Sequence, residues 1–189
     1  WDPINKEYRE MEVTSKGKNN FKNFLEFSMI SNTTVSVSTS GENGSVRASL
    51  SYLYDKNQYP NTHKNKFWYN IGGDLKLGKK ASLEGNLNFT HETAPNTAGY
   101  GYGTGYMYNI LMWTGPEYDL REYKDYWIIP NEKQNWHYTD WYDNPYFEAY
   151  EKVKAINNFT TNGSLSFKYE ILPWLKLQMR TGGVYNSNH

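Results

Sequence analysis

The sequence of 189 residues contains no cysteine. That excludes a disulfide scaffold, thiolate catalysis and Cys-ligated zinc. It also lacks a run of 18 apolar residues, so it predicts no membrane-crossing helix. Charge of one sign is missing too: 20 basic side chains balance 20 acidic ones, which removes the electrostatic ground for nucleic-acid binding. Trp1-Asp2-Pro3 has none of the marks of a secretory leader and reads as the middle of a longer polypeptide. Hydrophobic residues make up only 38%, yet 17% are aromatic, with 18 Tyr, 8 Phe and 7 Trp. A disordered chain is poor in aromatics and rich in charge. What remains is a polar, aromatic-rich, ordered chain whose pattern predicts β-structure.

The pattern is a period of two. Across 44–55, Val46, Ala48, Leu50, Tyr52 and Tyr54 alternate with polar residues, Leu53 excepted. Across 67–77, Phe67, Tyr69, Ile71, Leu75 and Leu77 share a face opposite Trp68, Asn70, Asp74 and Lys76. In 81–90, Leu83, Leu87 and Phe89 oppose Glu84, Asn86 and Asn88. In 159–170, Phe159, Leu165, Phe167 and Tyr169 oppose Asn162, Ser166 and Lys168. A last strand sets Leu175, Leu177 and Met179 against Lys176, Gln178 and Arg180, and a weaker one spans 32–40.

Three properties of these strands point to a membrane. Their length, about ten to twelve residues, exceeds the usual five or six and matches a tilted bilayer-crossing strand. The connections alternate: short at 41–44, longer at 56–66, short at 78–80, very long at 91–158 and short at 171–174. Outer-membrane barrels have that asymmetry, with short periplasmic turns and long extracellular loops. Finally, Tyr52, Tyr54, Phe67, Tyr69, Phe89, Phe159 and Tyr185 fall on the apolar faces toward the long-loop end, with Tyr169 and Trp174 near the short-turn end. Amphipathic rings collect at the two water–lipid boundaries. The predicted fold is therefore all-β, an antiparallel up-and-down transmembrane barrel segment. The polar faces then line a lumen, with Arg47, Asp74, Lys76, Glu84, Lys168 and Arg180 as candidates to face a plug or the transport path.

Specific residues narrow this further. They are Thr34-Val35-Ser36-Val37-Ser38, the turn 41–44, Ser45-Val46-Arg47-Ala48-Ser49-Leu50-Ser51-Tyr52, and Pro60-Asn61 in the next loop. Trp141-Tyr142-Asp143-Asn144-Pro145-Tyr146 and Tyr150-Glu151 follow later. With these the chain resembles the SusC/RagA family of TonB-dependent outer-membrane transporters over nearly its whole length. It departs at Thr39-Ser40-Gly41, where that family has a Gly-Gly pair. The resemblance implies a 22-stranded barrel around an N-terminal plug. It implies a SusD-like surface lipoprotein as a lid, glycan or peptide cargo, and drive from TonB acting through an N-terminal region outside this chain. It implies a bacterial outer-membrane location in contact with lipid. The expected organisation is an extracellular loop or early barrel region at 1–31, strands with short turns at 32–90, a long aromatic extracellular loop at 91–158, and strands again at 159–189.

Other chemistry finds little purchase. His63, His91, His137 and His189 lack metal-ligand spacing. The glycine-rich stretch 99–105 fits neither GxGxxG nor a P-loop. Carboxylates gather in the long loop at Glu117, Asp119, Glu122, Asp125, Asp140, Asp143 and Glu148, but Arg121, Lys124 and Lys133 lie among them. A glycosidase pair or a calcium site at Asp140 and Asp143 is not expected. Neither is a catalytic residue, a metal or a cofactor. Asn88 and Asn158 begin glycosylation sequons, and Asn88 falls inside a predicted strand.

The aromatic loop is the part with binding chemistry. Tyr100, Tyr102, Trp113, Trp127, Trp136, Trp141 and Tyr142 are the candidates to touch cargo or lid. Flat rings beside Asn, Asp and Arg suit sugars, peptides and protein interfaces alike. The same rings would also serve a small core of the loop's own. The alternative from another class is a secreted β-sandwich that binds carbohydrate; a loop-bearing glycoside hydrolase is weaker still.

Overall fold

The computed structural model describes residues 5–8, 10, 12–99, 102, 105–138 and 141–188. The chain divides into two compact units, one of Phe27–Thr97 with Val153–His189 and one of Trp1–Glu26 with Ala98–Lys152.

The first unit is a single antiparallel sheet. Its strands are β1 (Met29–Gly41), β2 (Gly44–Lys56), β3 (His63–Leu77), β4 (Ala81–Asn96), β7 (Ile156–Leu172) and β8 (Leu175–Asn188), paired in that order. The all-β expectation holds, and all six predicted strands are present. They are longer than predicted, at 13 to 17 residues. The extra length lies mostly at the long-loop rim, where both faces turn polar. There alternation ends while backbone pairing continues, tied by Lys66–Glu92 (3.4 Å) and His91–Asn157 (2.8 Å). Hence the connection predicted at 56–66 contracts to 57–62, and the loop placed at 91–158 spans 97–155. The segment placed at 1–31 likewise ends inside β1.

The turns at the other rim are short. Residues 42–43, 78–80 and 173–174 join β1 to β2, β3 to β4 and β7 to β8. Gly78 takes φ +79°, a left-handed conformation that glycine adopts without a steric penalty. The turn it opens is pinned where the Glu170 amide donates to the Lys80 carbonyl at 2.7 Å.

The register is in step across the sheet. One row reads Val37, Ala48, Ile71, Leu87, Gly163, Gly183; the next reads Val35, Leu50, Tyr69, Phe89, Thr161, Tyr185. The opposite face carries rows such as Ser36, Ser49, Asn70, Asn88, Asn162. Within this unit, the described residues form no second layer over the apolar face: Val37, Ile71 and Leu87 are 69%, 50% and 37% exposed.

The second unit is a small mixed body that the β-pattern did not foretell. It holds α1 (Asn20–Phe24), α2 (Tyr106–Trp113), a 3-10 turn (Leu120–Tyr123), a two-stranded ribbon of β5 (Trp127–Ile129) and β6 (Lys133–Gln134), and α3 (Pro145–Tyr150). Phe24, Tyr106, Ile110, Leu120, Tyr146 and Ala149 are buried. The Phe24 ring lies 5.3 Å from Tyr106 and 5.0 Å, edge-on, from Tyr146. Phe24, in the segment the sequence reading placed at 1–31, therefore shares a core with Tyr106 and Tyr146 of the long loop.

Candidate functional site

Two surfaces concern function, one in each unit. On the sheet, all six lumen candidates fall on the polar face within three successive rows. Asp74 lies across from Glu84, and Arg180 follows beyond Ser166 in the same row. Lys76 and Lys168 flank Ser82 in the row toward the short turns, and Arg47 sits across from Gly72 in the row away from them. The face is laced by side-chain hydrogen bonds. Ser45 donates to Asp74. Lys168 reaches Glu84 at 3.2 Å, Asn88 donates to Asn162 at 2.8 Å and Gln178 donates to Ser166 at 3.0 Å. Arg47, Asp74, Glu84 and Asn86 rim a shallow basin of about 580 Å³ floored at Gly72. Such a face suits water or a polar partner and not hydrocarbon.

In the loop unit the rings separate into three groups. Tyr102, Tyr108, Trp113, Tyr138 and Tyr142 form the first. Trp113 stacks on Tyr138 (5.4 Å, 18°) and Tyr142 (5.8 Å, 28°), and Tyr102 meets Tyr108 at 5.0 Å. The second joins Tyr118, Tyr123, Trp136 and His137. In the third, Trp127 packs edge-on against Phe147 at 5.1 Å, and Tyr126 stacks on Tyr150 at 6.1 Å.

The seven contact candidates thus occupy different depths. Tyr102 and Trp141 are 75% and 76% exposed, and Trp113 is 41% exposed. Trp127 is half-buried. Trp136 and Tyr142 are buried: they support the surface from below, because neighbouring rings cover both. Tyr100 lies outside the described residues. Tyr108, not singled out from the sequence, joins the first group because α2 presents it one turn ahead of Met112 and beside Tyr102.

Burial sets the titration of several groups. It pushes the Tyr146 hydroxyl up to about 12. It raises Tyr142, with Tyr102 adding to the effect. His137 is lowered by burial, against the opposing pull of the Trp113 carbonyl and Glu117. Its Nε2 lies 3.1 Å from that carbonyl. A carbonyl only accepts, so the neutral ring carries its proton on Nε2.

Three of the loop carboxylates, Asp119, Glu122 and Asp143, are bound to cations. Asp119 is held low by the Arg121 guanidinium at 2.5 Å, and its Oδ1 also accepts from the Arg121 amide at 3.0 Å. Glu122 pairs with Lys16 at 3.0 Å. Asp143 is held by Lys152 and by Gln134 Nε2. No group of three or more His, Asp or Glu side chains stands ready for a metal ion among the described residues; Asp140 and His189 lie outside them.

Asn144 organises this part of the loop. Its side chain is fully buried, accepts from the Tyr146 amide at 2.8 Å, and donates to the Tyr123 and Asn135 carbonyls at 2.9 and 2.7 Å. An Asn cap followed by Pro at the first helical position is a readable helix start, and it would have located α3. No local signal announces that Asn20 binds the loop through the Tyr118 carbonyl (2.7 Å) and the Leu120 amide (2.9 Å).

No protein-family model matches the chain. No curated protein matches it significantly.

Proposed function

We propose that the sheet is part of the wall of a transmembrane β-barrel, in an outer-membrane importer of the SusC/RagA kind. In this reading the apolar face meets lipid and the polar face meets a plug or the passing solute. Glycan or peptide cargo passes, a SusD-like lipoprotein acts at the long-loop end, and TonB supplies the drive. The chain's own contribution is binding and containment, with no covalent step.

One observation carries the reading: the sheet's apolar face is uncovered across its breadth while the other face is polar. The band runs along β3 from Leu77 to Phe67. Those ten residue steps, at ~3.3 Å each and a tilt of ~40°, span ~25 Å of membrane normal, the height of a barrel's apolar belt. Rings close the band at both ends, with Tyr52, Phe67 and Phe159 in one row and Phe167 and Tyr169 near the other. A sandwich would have put Leu50, Ile71 and Leu87 under a second sheet; all three are exposed.

These 189 residues contain no cysteine, so each label introduced among them stands at one position. Single variants Ile71→Cys, Leu87→Cys, Asn86→Cys and Asn88→Cys are spin-labelled in the bilayer-embedded protein. Positions 71 and 87 are expected to relax with lipid-soluble oxygen, and 86 and 88 with a water-soluble nickel chelate. Equal access of the chelate to all four positions overturns the reading. At the loop, Tyr102, Trp113 and Trp141 offer the exposed rings for cargo or lid.

A further inference from the structure

At the short-turn rim the polar face has a basic concavity of about 320 Å³, set between two rows of side chains. One row is Lys76, Ser82, Lys168 and Gln178; the next, nearer the turns, is Lys80, Glu170 and Lys176. Lys79, in the β3–β4 turn, completes the basic lining. Two of these cations are engaged: Lys168 with Glu84 at 3.2 Å and Lys176 with Glu170 at 4.0 Å. Lys76 donates to the Glu42 carbonyl at 3.1 Å, which leaves its charge uncompensated. Among the described residues, no carboxylate pairs with Lys76, Lys79 or Lys80. Like charges held together are unfavourable unless anions join them.

The cations are spread out. Lys76 and Lys168 stand two strands apart, as do Lys80 and Lys176, so each pair is separated by about 10 Å of sheet. Along the strands the two rows lie two residues apart, about 7 Å. A single compact anion would have to draw several lysines to one point, against their mutual repulsion and with loss of rotamer freedom. An extended polypeptide laid along the strands presents same-side carboxylates at that same interval of about 7 Å, one for each row. Neutral acceptors lie between the cations. The Ser82 hydroxyl has no partner among the described residues, and Gln178 uses only its Nε2, toward Ser166. Ser82 Oγ and Gln178 Oε1 are therefore open to N–H donors, which a peptide backbone supplies and a simple anion does not.

We infer that this rim docks an extended acidic polypeptide segment. Carboxylates at alternating positions of the segment meet Lys76 in one row and Lys80 in the next, and its backbone amides meet Ser82 and Gln178. The surface belongs to the polar face alone. It goes beyond the importer reading and does not require the other face to meet lipid.

The test uses the whole 189-residue chain in nonionic detergent. Fluorescence anisotropy follows its titration into fluorescein-labelled peptides that alternate aspartate with serine, or asparagine with serine. The aspartate peptide is expected to bind and the asparagine peptide to stay free. Lys76→Gln with Lys80→Gln is expected to weaken binding about two- to fivefold per lysine removed, and Lys76→Arg with Lys80→Arg to retain it. Lys56→Gln with Lys64→Gln removes the same charge from the opposite rim and should leave binding unchanged. An unaltered β-sheet circular dichroism spectrum certifies that each variant is folded. Equal binding of the two peptides, no effect of the Lys76 and Lys80 change, or an equal effect of the opposite-rim pair overturns the surface. Displacement by equimolar inorganic phosphate overturns the polypeptide assignment. The spin labels at 71 and 87 report the membrane facing on their own, so either result can fail without the other.

Discussion

Single side chains decide how the loop unit holds together. Asn144→Ala would strand the Tyr123 and Asn135 carbonyls and the Tyr146 amide together. A lost cap and a lost buried hydrogen-bond set cost about 2–4 kcal/mol, to be read by urea titration of loop tryptophan fluorescence. Asn144→Asp keeps the acceptor toward Tyr146 but aims oxygen at two carbonyls, so it should not rescue. His137 gives the unit a pH response. Its folded pKa lies below the ordinary 6.5, so the unfolded chain takes up the proton first. Stability is full above that value and falls as pH drops through and below it. Near-UV circular dichroism between pH 7.5 and 5 should show the loop loosening, and His137→Phe should flatten that profile.

At the scale of elements, the two faces of β4 predict opposite tolerances. Leu87→Arg, on the uncovered apolar face, should cost about 2–4 kcal/mol in a bilayer. Asn88→Ser, one residue on, loses the bond to Asn162 and should cost about 1 kcal/mol or less. Unfolding in urea from lipid vesicles separates them, and similar losses would contradict the facing. Backbone spacing gives a second contrast. A Cβ at Gly73 would lie 2.3 Å from the Ser45 carbonyl oxygen, whereas one at Gly183 meets nothing within 4 Å. Gly73→Ala should therefore destabilise the β2–β3 pairing by about 1–3 kcal/mol, and Gly183→Ala should be near neutral in the same urea assay. The strands were legible because alternation records facing, and facing is what Ile71 against Asn70 writes into the chain. Their outer ends were not, since Lys66 and Glu92 pair across a rim where neither face is apolar.

For the whole chain, the sheet presents two edges, at β1 and β8. All thirteen residues of β1 are exposed. Open edges in hydrocarbon leave backbone groups unsatisfied, and in water they invite association. The 189-residue chain expressed alone should therefore elute as aggregates without detergent, by size-exclusion chromatography with light scattering; a monodisperse monomer would speak for the sandwich. The division into a sheet and an aromatic body was half legible. The polar face was found residue by residue, from Arg47 to Arg180, because each sits at an alternating position. The three ring groups were not separable, since Trp113 and Trp136 look alike in sequence and differ only in what surrounds them.

The shared core of the loop unit has a consequence for assembly. Phe24 must wait for Tyr106 and Tyr146, more than eighty residues downstream in each case. The hairpins from Met29 to Asn96 pair only with near neighbours. Short-range pairings form sooner than distant ones, so during synthesis the segment around Phe24 is fastened only after the four strands that follow it have been made.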